Sequence, residues 1–476
     1  MPRQNFDRVL GLRECIALVT GSIIGSGIFI KPAVMAASFP TSSGLLLTWI
    51  LAGLITLCGA LTNAEAISMF PETGGQVVIF EKMYGRNFAF LYAWSSFAVF
   101  NTAGNASIAF VSAQYLSYFI SLPNCGDQII QATSVHIPGI GIIEPFKDIG
   151  LKLLTILLML ATSILSAIST GLSASLQNLF SALKVIAIMI VIAGGLTHHS
   201  AISTVVFNGS GLITFSGFIA ALTSAFWAFD GWNNISFVAG EIRSPQKNIP
   251  KALAIGIGVC VLIYFLFHWS LDRCLGLEVM MHSSSVASDA GKILWGTTGA
   301  AILAAIIAFT TTGTLSANVF STARVTYSLG YENRWFASAA KIHPNWGTPA
   351  NAIFFNLTWG VILTLSGSFD ILTDMLIFVT WFFYGMSALG VMLLRIRMPD
   401  IPRVYKTILY PWPVIVFVVF CFGYLLASLY YDIHEKEKKK SQLIRSVFGS
   451  MIALSGLVFL ATEKWIKIKN AKEQRL

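Results

Sequence analysis

Twelve apolar runs dominate the chain, most of them as long as the ~20 residues a helix needs to cross the hydrocarbon of a bilayer. They fall at 13–37, 43–68, 88–121, 150–168, 172–196, 212–240, 250–272, 294–327, 350–367, 371–395, 407–431 and 445–463. Such a chain has few options, because in lipid each backbone polar group must be satisfied internally, and a helix does this within one segment. The sequence therefore predicts an all-α polytopic membrane protein with 12 transmembrane helices. Composition agrees. Only 11% of the 476 residues are charged and 55% are hydrophobic, whereas soluble domains carry about 25% charged residues. The runs 88–121 and 294–327 are long enough to tilt strongly or to extend beyond the bilayer.

The net charge of +9 reads as topology. With the N-terminus placed in the cytoplasm, twenty Lys and Arg fall on the inner side and ten on the outer side, as the positive-inside rule requires. Both termini are then cytoplasmic, and Lys184 is left inside the membrane. Half of the outer charges crowd into the loop from His434 to Arg445, against the rule. No basic stripe interleaved with aromatics marks a nucleic-acid surface. Met1–Leu10 is polar and leads into a full span, so no cleavable signal is expected. Six cysteines are too few and too scattered for a disulfide scaffold, although Cys125 and Cys274 fall in or near outer loops where a bridge is an open alternative. The outer loop from Leu122 to Gly150 is placed to cover the outer mouth. The inner loop from Phe70 to Arg86 holds the helix-breaking run Pro71-Glu72-Thr73-Gly74-Gly75 and is expected as a short amphipathic element at the membrane surface.

Two of the runs are interrupted. The first holds Gly21-Ser22-Ile23-Ile24-Gly25-Ser26-Gly27-Ile28-Phe29, and glycine costs about 1 kcal/mol against alanine in a helix interior. Either the helix breaks here and its freed backbone groups hold a small zwitterion, or the glycines serve close helix packing. The sixth holds Ala225-Phe226-Trp227-Ala228-Phe229-Asp230-Gly231-Trp232-Asn233-Asn234. An ionisable residue inside a span is a functional candidate by default, and the alternative is a kink with Asp230 paired structurally. Helices 1 and 6 correspond if helices 1–5 and 6–10 are two halves. Paired interruptions at corresponding positions point to a transporter binding site.

Gly25-Ser26-Gly27-Ile28-Phe29 resembles the glycine motif of helix 1 in the amino acid–polyamine–organocation superfamily. The helix 6 segment is similar to that of the L-type amino acid transporters and the light subunits of heteromeric amino acid transporters. Glu241-Ile242-Arg243-Ser244-Pro245-Gln246-Lys247-Asn248-Ile249-Pro250 resembles the stretch after helix 6, and Pro71 through Gly75 resembles the loop between helices 2 and 3. The resemblance covers roughly Gly11 to Arg397. It implies a LeuT-type fold, a 5+5 inverted repeat with broken helices 1 and 6. The chain then divides into a cytoplasmic N-terminus at 1–12, a transport core at 13–397, helices 11 and 12 at 398–463 and a cytoplasmic tail at 464–476.

Residue chemistry and resemblance agree on L-α-amino acids as substrates. The N–H groups near Ser26, Gly27 and Ile28, at the positive end of a half-helix, suit a carboxylate. The carbonyls of Ile23 and Ile24 suit an ammonium group, and helix 6 adds carbonyls near Trp227 and Asp230. The expected substrate-binding set is Ile23, Ile24, Gly25, Ser26, Gly27, Ile28, Trp227, Phe229, Asp230 and Asn233. The resemblance implies that Trp227 is an aromatic gate. An acidic residue at Asp230 resembles the members that accept cationic amino acids and cystine, and the carboxylate can instead cap freed N–H groups of helix 6. Asn233 either orients the unwound segment or touches substrate. The resemblance also implies that the ammonium of Lys184 occupies the place of a sodium ion and links helix 1 to helix 5. A proton carried on Lys184 is the alternative.

The predicted function is a sodium-independent amino acid transporter that exchanges neutral and cationic substrates by alternating access. A proton-coupled symporter and a non-transporting sensor on the same fold remain as alternatives. No His-Glu-x-x-His, Gly-x-Ser-x-Gly or metal-ligand cluster supports an enzyme, and His268 stands alone in helix 7. No cofactor or metal is expected. Glu65 is expected at a helix interface, while Thr310, Thr311, Thr312, Ser316 and Asn318 either line a pocket or bond locally. Heteromeric relatives join a heavy chain through a cysteine in the outer loop after helix 3. Cys125 lies in that loop in poorly matching surroundings, so a bacterial inner-membrane protein without a heavy chain is expected.

Overall fold

The computed structural model describes residues 8–72, 75–137, 141–168, 170–198, 214–332, 334–438 and 444–473. Helix α1 (Leu12–Ile23) and helix α2 (Gly27–Ser38) form one bent crossing with a 45° angle between them. The Oε2 of Glu14 accepts the Gly11 N–H at 2.9 Å and caps the start of α1. Helix α3 (Ser42–Met69) returns across the fold. It is followed by α4 (Gly75–Tyr84), α5 (Arg86–Ser95), a π turn at Ser96–Asn101 and α6 (Thr102–Leu116). The expected third span is thus not one regular helix. The Thr102 hydroxyl donates to the Phe97 carbonyl five residues back at 2.8 Å, which supports the wider turn.

Beyond α6 come α7 (Asp127–Ala132) and an antiparallel pair, β1 (Val135–Ile137) with β2 (Gly141–Ile143), in register Val135 to Ile143. Among the described residues, this small hairpin holds the only two strands. Helices α8 (Ile149–Ile168), α9 (Thr170–Thr197) and α10 (Phe215–Phe229) follow. After a 3₁₀ segment at Trp232–Glu241 come α11 (Pro245–His282), kinked at Gly276, and α12 (Val286–Glu332), kinked at Trp295 and Gly296. The chain ends with α13 (Ala350–Ser366), α14 (Phe369–Arg397), α15 (Trp412–Lys438), α16 (Arg445–Leu454) and α17 (Gly456–Glu473).

Each expected apolar run carries helix. Among the described residues, seven helices are long and apolar enough to cross a membrane, and the α1–α2 pair makes eight. The remaining runs are shorter or interrupted helices, so length and composition alone do not establish twelve crossings. Thr73, Gly74, Asn333 and residues 439–443 of the Lys-rich loop lie outside the described residues.

The fold bears on three sequence expectations. The loop between helices 2 and 3 carries a short amphipathic helix, α4, with Glu81 and Lys82 exposed and the opposite face packed inward. Gln76, Ile79, Phe80 and Met83 of α4 are buried, and the Phe80 ring packs 5.9 Å from Phe383 of α14. All six cysteines are free, so Cys125 and Cys274 form no bridge. Thr310, Thr311 and Thr312 donate to carbonyls of their own helix. Asn318 donates to Asn105 of α6 at 2.9 Å, which assigns it to helix packing. Ser316 is buried and faces Ser166 of α8.

Glu65 is a buried anchor rather than a simple interface residue. Its side chain is 1% exposed and takes both Nε and Nη2 of Arg395, at 2.8 and 2.6 Å. The N–H and hydroxyl of Thr407 donate to it as well, each at 2.8 Å. A buried carboxylate is tolerated when its lone pairs are filled in this way. The contact ties α3 to the end of α14 and to the segment before α15.

Candidate substrate site at two helix breaks

Helix α1 ends in a tight turn. Ile24 has φ −69° and ψ 83°, and the Gly25 N–H donates to the Ile23 carbonyl at 2.7 Å. These values define an inverse γ-turn. Helix α2 then starts at Gly27. Among the described residues, the N–H groups of Ser26, Gly27 and Ile28 have no acceptor, as expected for the first turn of a helix. The Ser26 side chain is buried and its hydroxyl has no partner there either. A buried donor without a partner is costly unless a ligand or water completes it.

Helix α10 stops at Phe229. Asp230 is extended with ψ 154°, and Gly231 adopts φ 105°, which a residue bearing a Cβ rarely does. The chain resumes as 3₁₀ rather than α-helix. Gly231 also meets the first break directly, since a Cβ on it would lie 2.6 Å from the Ser22 carbonyl oxygen. Gly27 meets the second break, since a Cβ there would lie 2.8 Å from the Trp227 ring and 3.0 Å from Ala228 Cα. The two interruptions therefore pack on one another.

The side chains around them are placed as follows. Tyr384 of α14 donates to Asp230 Oδ1 at 2.7 Å, and its ring packs 4.8 Å from Trp232. Asn233 accepts from Asn63 at 2.8 Å. Asn63 in turn joins Gln76 and Ser387 in a closed buried set of hydrogen bonds. Phe229 faces the packed interior against Trp49 and Tyr264. Trp227 lies edge-on to Phe369, 5.2 Å between centroids. Tyr264 of α11 is fully buried, and its hydroxyl lies 2.8 Å from both the Ile23 and the Ala228 carbonyl oxygens. Lys184 of α9 is also buried. No ion pair holds it among the described residues.

A cavity of about 750 Å³ is lined by α2, α10 and α14, and none of residues 23–28 or 227–233 lines it. Its walls include Ile30 and Val34 of α2, Thr223 of α10, Glu144 near the hairpin, and Phe369 and Asp370 of α14. The loop from Leu122 to Gly150 contributes Ile142, Glu144, Lys147 and Asp148 to its wall. Phe369 and Trp227 stand between the cavity and Gly27. Lys31, which sequence reasoning counted as an outer topology charge, is fully buried at this point. Its Nζ donates to Thr373 Oγ1 at 2.9 Å and to Asp370 Oδ1 at 3.4 Å, and sits 4.6 Å from the Phe369 ring centroid.

Of the residues expected at the site, those from Ile23 to Ile28 and from Trp227 to Asn233 lie on the two breaks, and the breaks pack on one another; Lys184 is buried in α9. Sequence reasoning missed Tyr264, Tyr384, Lys31 and the Asn63 set. A tyrosine in an apolar helix carries no pattern, but Asn63 and Gln76 were visible as amides in or beside an apolar run. Among the described residues, no group of three or more His, Cys, Asp or Glu is disposed to hold a metal ion.

A helical membrane protein whose two discontinuous helices meet has the build of a solute transporter. The chain belongs to the amino acid permease family, whose model matches residues 10–454. It is 29% identical over 427 residues to the serine/threonine exchanger SteT of Bacillus subtilis (strain 168), covering 89% of this chain and 91% of that protein. It is 28% identical over 423 residues to the b(0,+)-type amino acid transporter 1 of Mus musculus, covering 88% and 82%. The cystine/glutamate transporter of Pongo abelii is 25% identical over 488 residues, covering 98% and 89%. The protein is accordingly a membrane transporter of amino acids and not an enzyme.

Proposed function

We propose that the protein is a sodium-independent exchanger of neutral and cationic α-amino acids that works by alternating access. The observation that carries this reading is the meeting of two broken helices whose main-chain donors at Ser26, Gly27 and Ile28 are left without acceptors. These N–H groups, at the positive end of α2, bind the substrate carboxylate. The Ile23 carbonyl already accepts from Gly25 and lies against Tyr264, which uses both its lone pairs. The ammonium therefore falls to the Ile24 carbonyl and to the end of α10 near Asp230. Main-chain recognition of groups common to all amino acids leaves the side chain to a separate pocket. There, Asp230 favours a cationic end.

Trp227 and Phe369 close the path from the cavity, and their displacement opens it. Lys184 supplies the fixed positive charge that a sodium ion supplies elsewhere. In this reading the chain has twelve crossings, a 5+5 repeat over 13–397, helices 11 and 12 after it, and both termini in the cytoplasm of a bacterial cell. It works, in this reading, without a heavy chain.

The test is uptake of labelled amino acids into proteoliposomes. Uptake should persist when sodium is replaced by choline and should accelerate when unlabelled amino acid is loaded inside. Dependence on sodium, or indifference to the internal amino acid, would refute the exchange reading.

A further inference from the structure

Along α14 the cavity wall ends at Asp374, and Ser387 comes about 20 Å further on at 1.5 Å per residue. There Asn63 of α3, Gln76 of α4 and Ser387 form a ring that runs in one direction. Asn63 Nδ2 donates to Gln76 Oε1 at 3.0 Å, Gln76 Nε2 to Ser387 Oγ at 2.7 Å, and the Ser387 hydroxyl to Asn63 Oδ1 at 2.6 Å. All three residues are 2% exposed, and hydrogen bonds that point head to tail strengthen one another. A carboxamide has two N–H donors, and the second proton of Asn63 goes to Asn233 Oδ1 at 2.8 Å. The two sides of that contact are not equally held. On one side, the ring joins three helices, and Glu65, two residues along α3 from Asn63, fixes α3 to α14 through Arg395. On the other side, the 3₁₀ segment Trp232–Glu241 is tied to the ring by this one bond among the described residues. The segment packs on α4, since a Cβ on Gly75 would lie 2.4 Å from the Phe237 ring and 3.2 Å from Ser236 Oγ.

We infer that the Asn63 amide is a catch: the ring seats it on the frame of α3, α4 and α14, and its remaining proton holds the 3₁₀ segment shut over the side of the breaks that faces away from the cavity. This rests on the reading of the protein as an alternating-access exchanger with its substrate site at the breaks. Solute leaves on that side only when the segment moves off α4, and the least-held bond in the way joins Asn63 to Asn233. Opening it exposes two amides that water can satisfy, so the catch yields at the modest net worth of one hydrogen bond. Asn233 thereby takes the first of its two expected roles, orienting the unwound segment.

The experiment follows Ser236→Cys in membrane vesicles of both orientations with a membrane-impermeant maleimide. Ser236 is buried in the segment and its hydroxyl has no partner among the described residues, so the new thiol reports burial without costing a hydrogen bond. Adding Asn63→Leu should speed its labelling from the face opposite the cavity by about three- to tenfold, the worth of one hydrogen bond, with no gain from the cavity face. KM measured from the face opposite the cavity should fall by a like factor, because more of the protein stands open there, and KM from the cavity face should not fall. Ser387→Ala breaks the ring but spares the bond to Asn233, so it should lower the melting temperature with labelling unchanged. Asn233→Leu cuts the same bond from its other end and takes the place of Asn63→Leu if that variant does not fold. Unchanged labelling in the folded variant, or an equal rise in Ser387→Ala, overturns the inference. Labelling that rises in a protein that moves no amino acid overturns the exchange reading and leaves the catch standing.

Discussion

Replacing Gly231 with alanine separates the contact between the two breaks from the backbone conformation that accompanies it. The added methyl group would lie 2.6 Å from the Ser22 oxygen and 3.0 Å from its carbonyl carbon. Both are main-chain atoms that cannot swing aside. A left-handed residue bearing a Cβ costs about 1–2 kcal/mol, and overpacking a filled contact adds about 1–3 kcal/mol. Gly231→Ala should therefore destabilise by about 2–5 kcal/mol and move α1 and α10 apart. Gly85 is the control. It has φ 86° and no atom within 4 Å of an added Cβ, so Gly85→Ala carries the conformational cost alone. Thermal unfolding in detergent and amino acid uptake in vesicles should be measured for both. The expected result is a larger loss of stability and a raised KM in Gly231→Ala, with KM unchanged in Gly85→Ala. Equal stability losses with normal uptake in both would refute the claim that the breaks are in contact.

Four further outcomes are expected. Glu65→Ala leaves Arg395 without its carboxylate and should cost about 3–5 kcal/mol in thermal unfolding, while Glu65→Ala with Arg395→Ala should cost less than the sum of the single changes. Lys184→Ala removes a buried cation that has no ion-pair partner among the described residues, so uptake should collapse while the melting temperature holds; normal sodium-free uptake would exclude its proposed role. His268 is buried with neither ring nitrogen hydrogen-bonded among the described residues, and His268→Leu should raise stability by about 1–3 kcal/mol, read as an upward shift in melting temperature. Asp230→Asn keeps an oxygen for Tyr384 but loses the charge, so lysine uptake should fall more than leucine uptake, and equal falls would point to a capping role.

The two breaks were legible because they violate a strong pattern. Glycine at 21, 25 and 27 and a carboxylate at 230 stand out in runs that lipid requires to be apolar and regular. Their mutual contact was not legible, since nothing local says that Gly231 faces Ser22. Lys31 shows the opposite failure. Counted by position it is a surface charge, yet Asp370 and Thr373, more than three hundred residues later, make burial affordable. Glu65 is similar, because its partners Arg395 and Thr407 are equally remote in sequence. The π turn in the third run was invisible as well, since it depends on one threonine hydroxyl among many in the chain. The docking of α4 turned on Gln76, whose amide finds Ser387 in α14 rather than water.

One further feature bears on how the protein moves. The Leu10 N–H donates to the Glu241 carbonyl at 3.0 Å, and the Arg243 N–H donates to the Leu10 carbonyl at 2.8 Å. These two bonds zip the start of α1 to the chain leaving the 3₁₀ segment. Being main chain to main chain, they tolerate many side-chain replacements. The first and sixth crossings are thereby clasped at their feet as well as at mid-height, so they should swing as a single lever, and the hinges lie where that lever meets its neighbours.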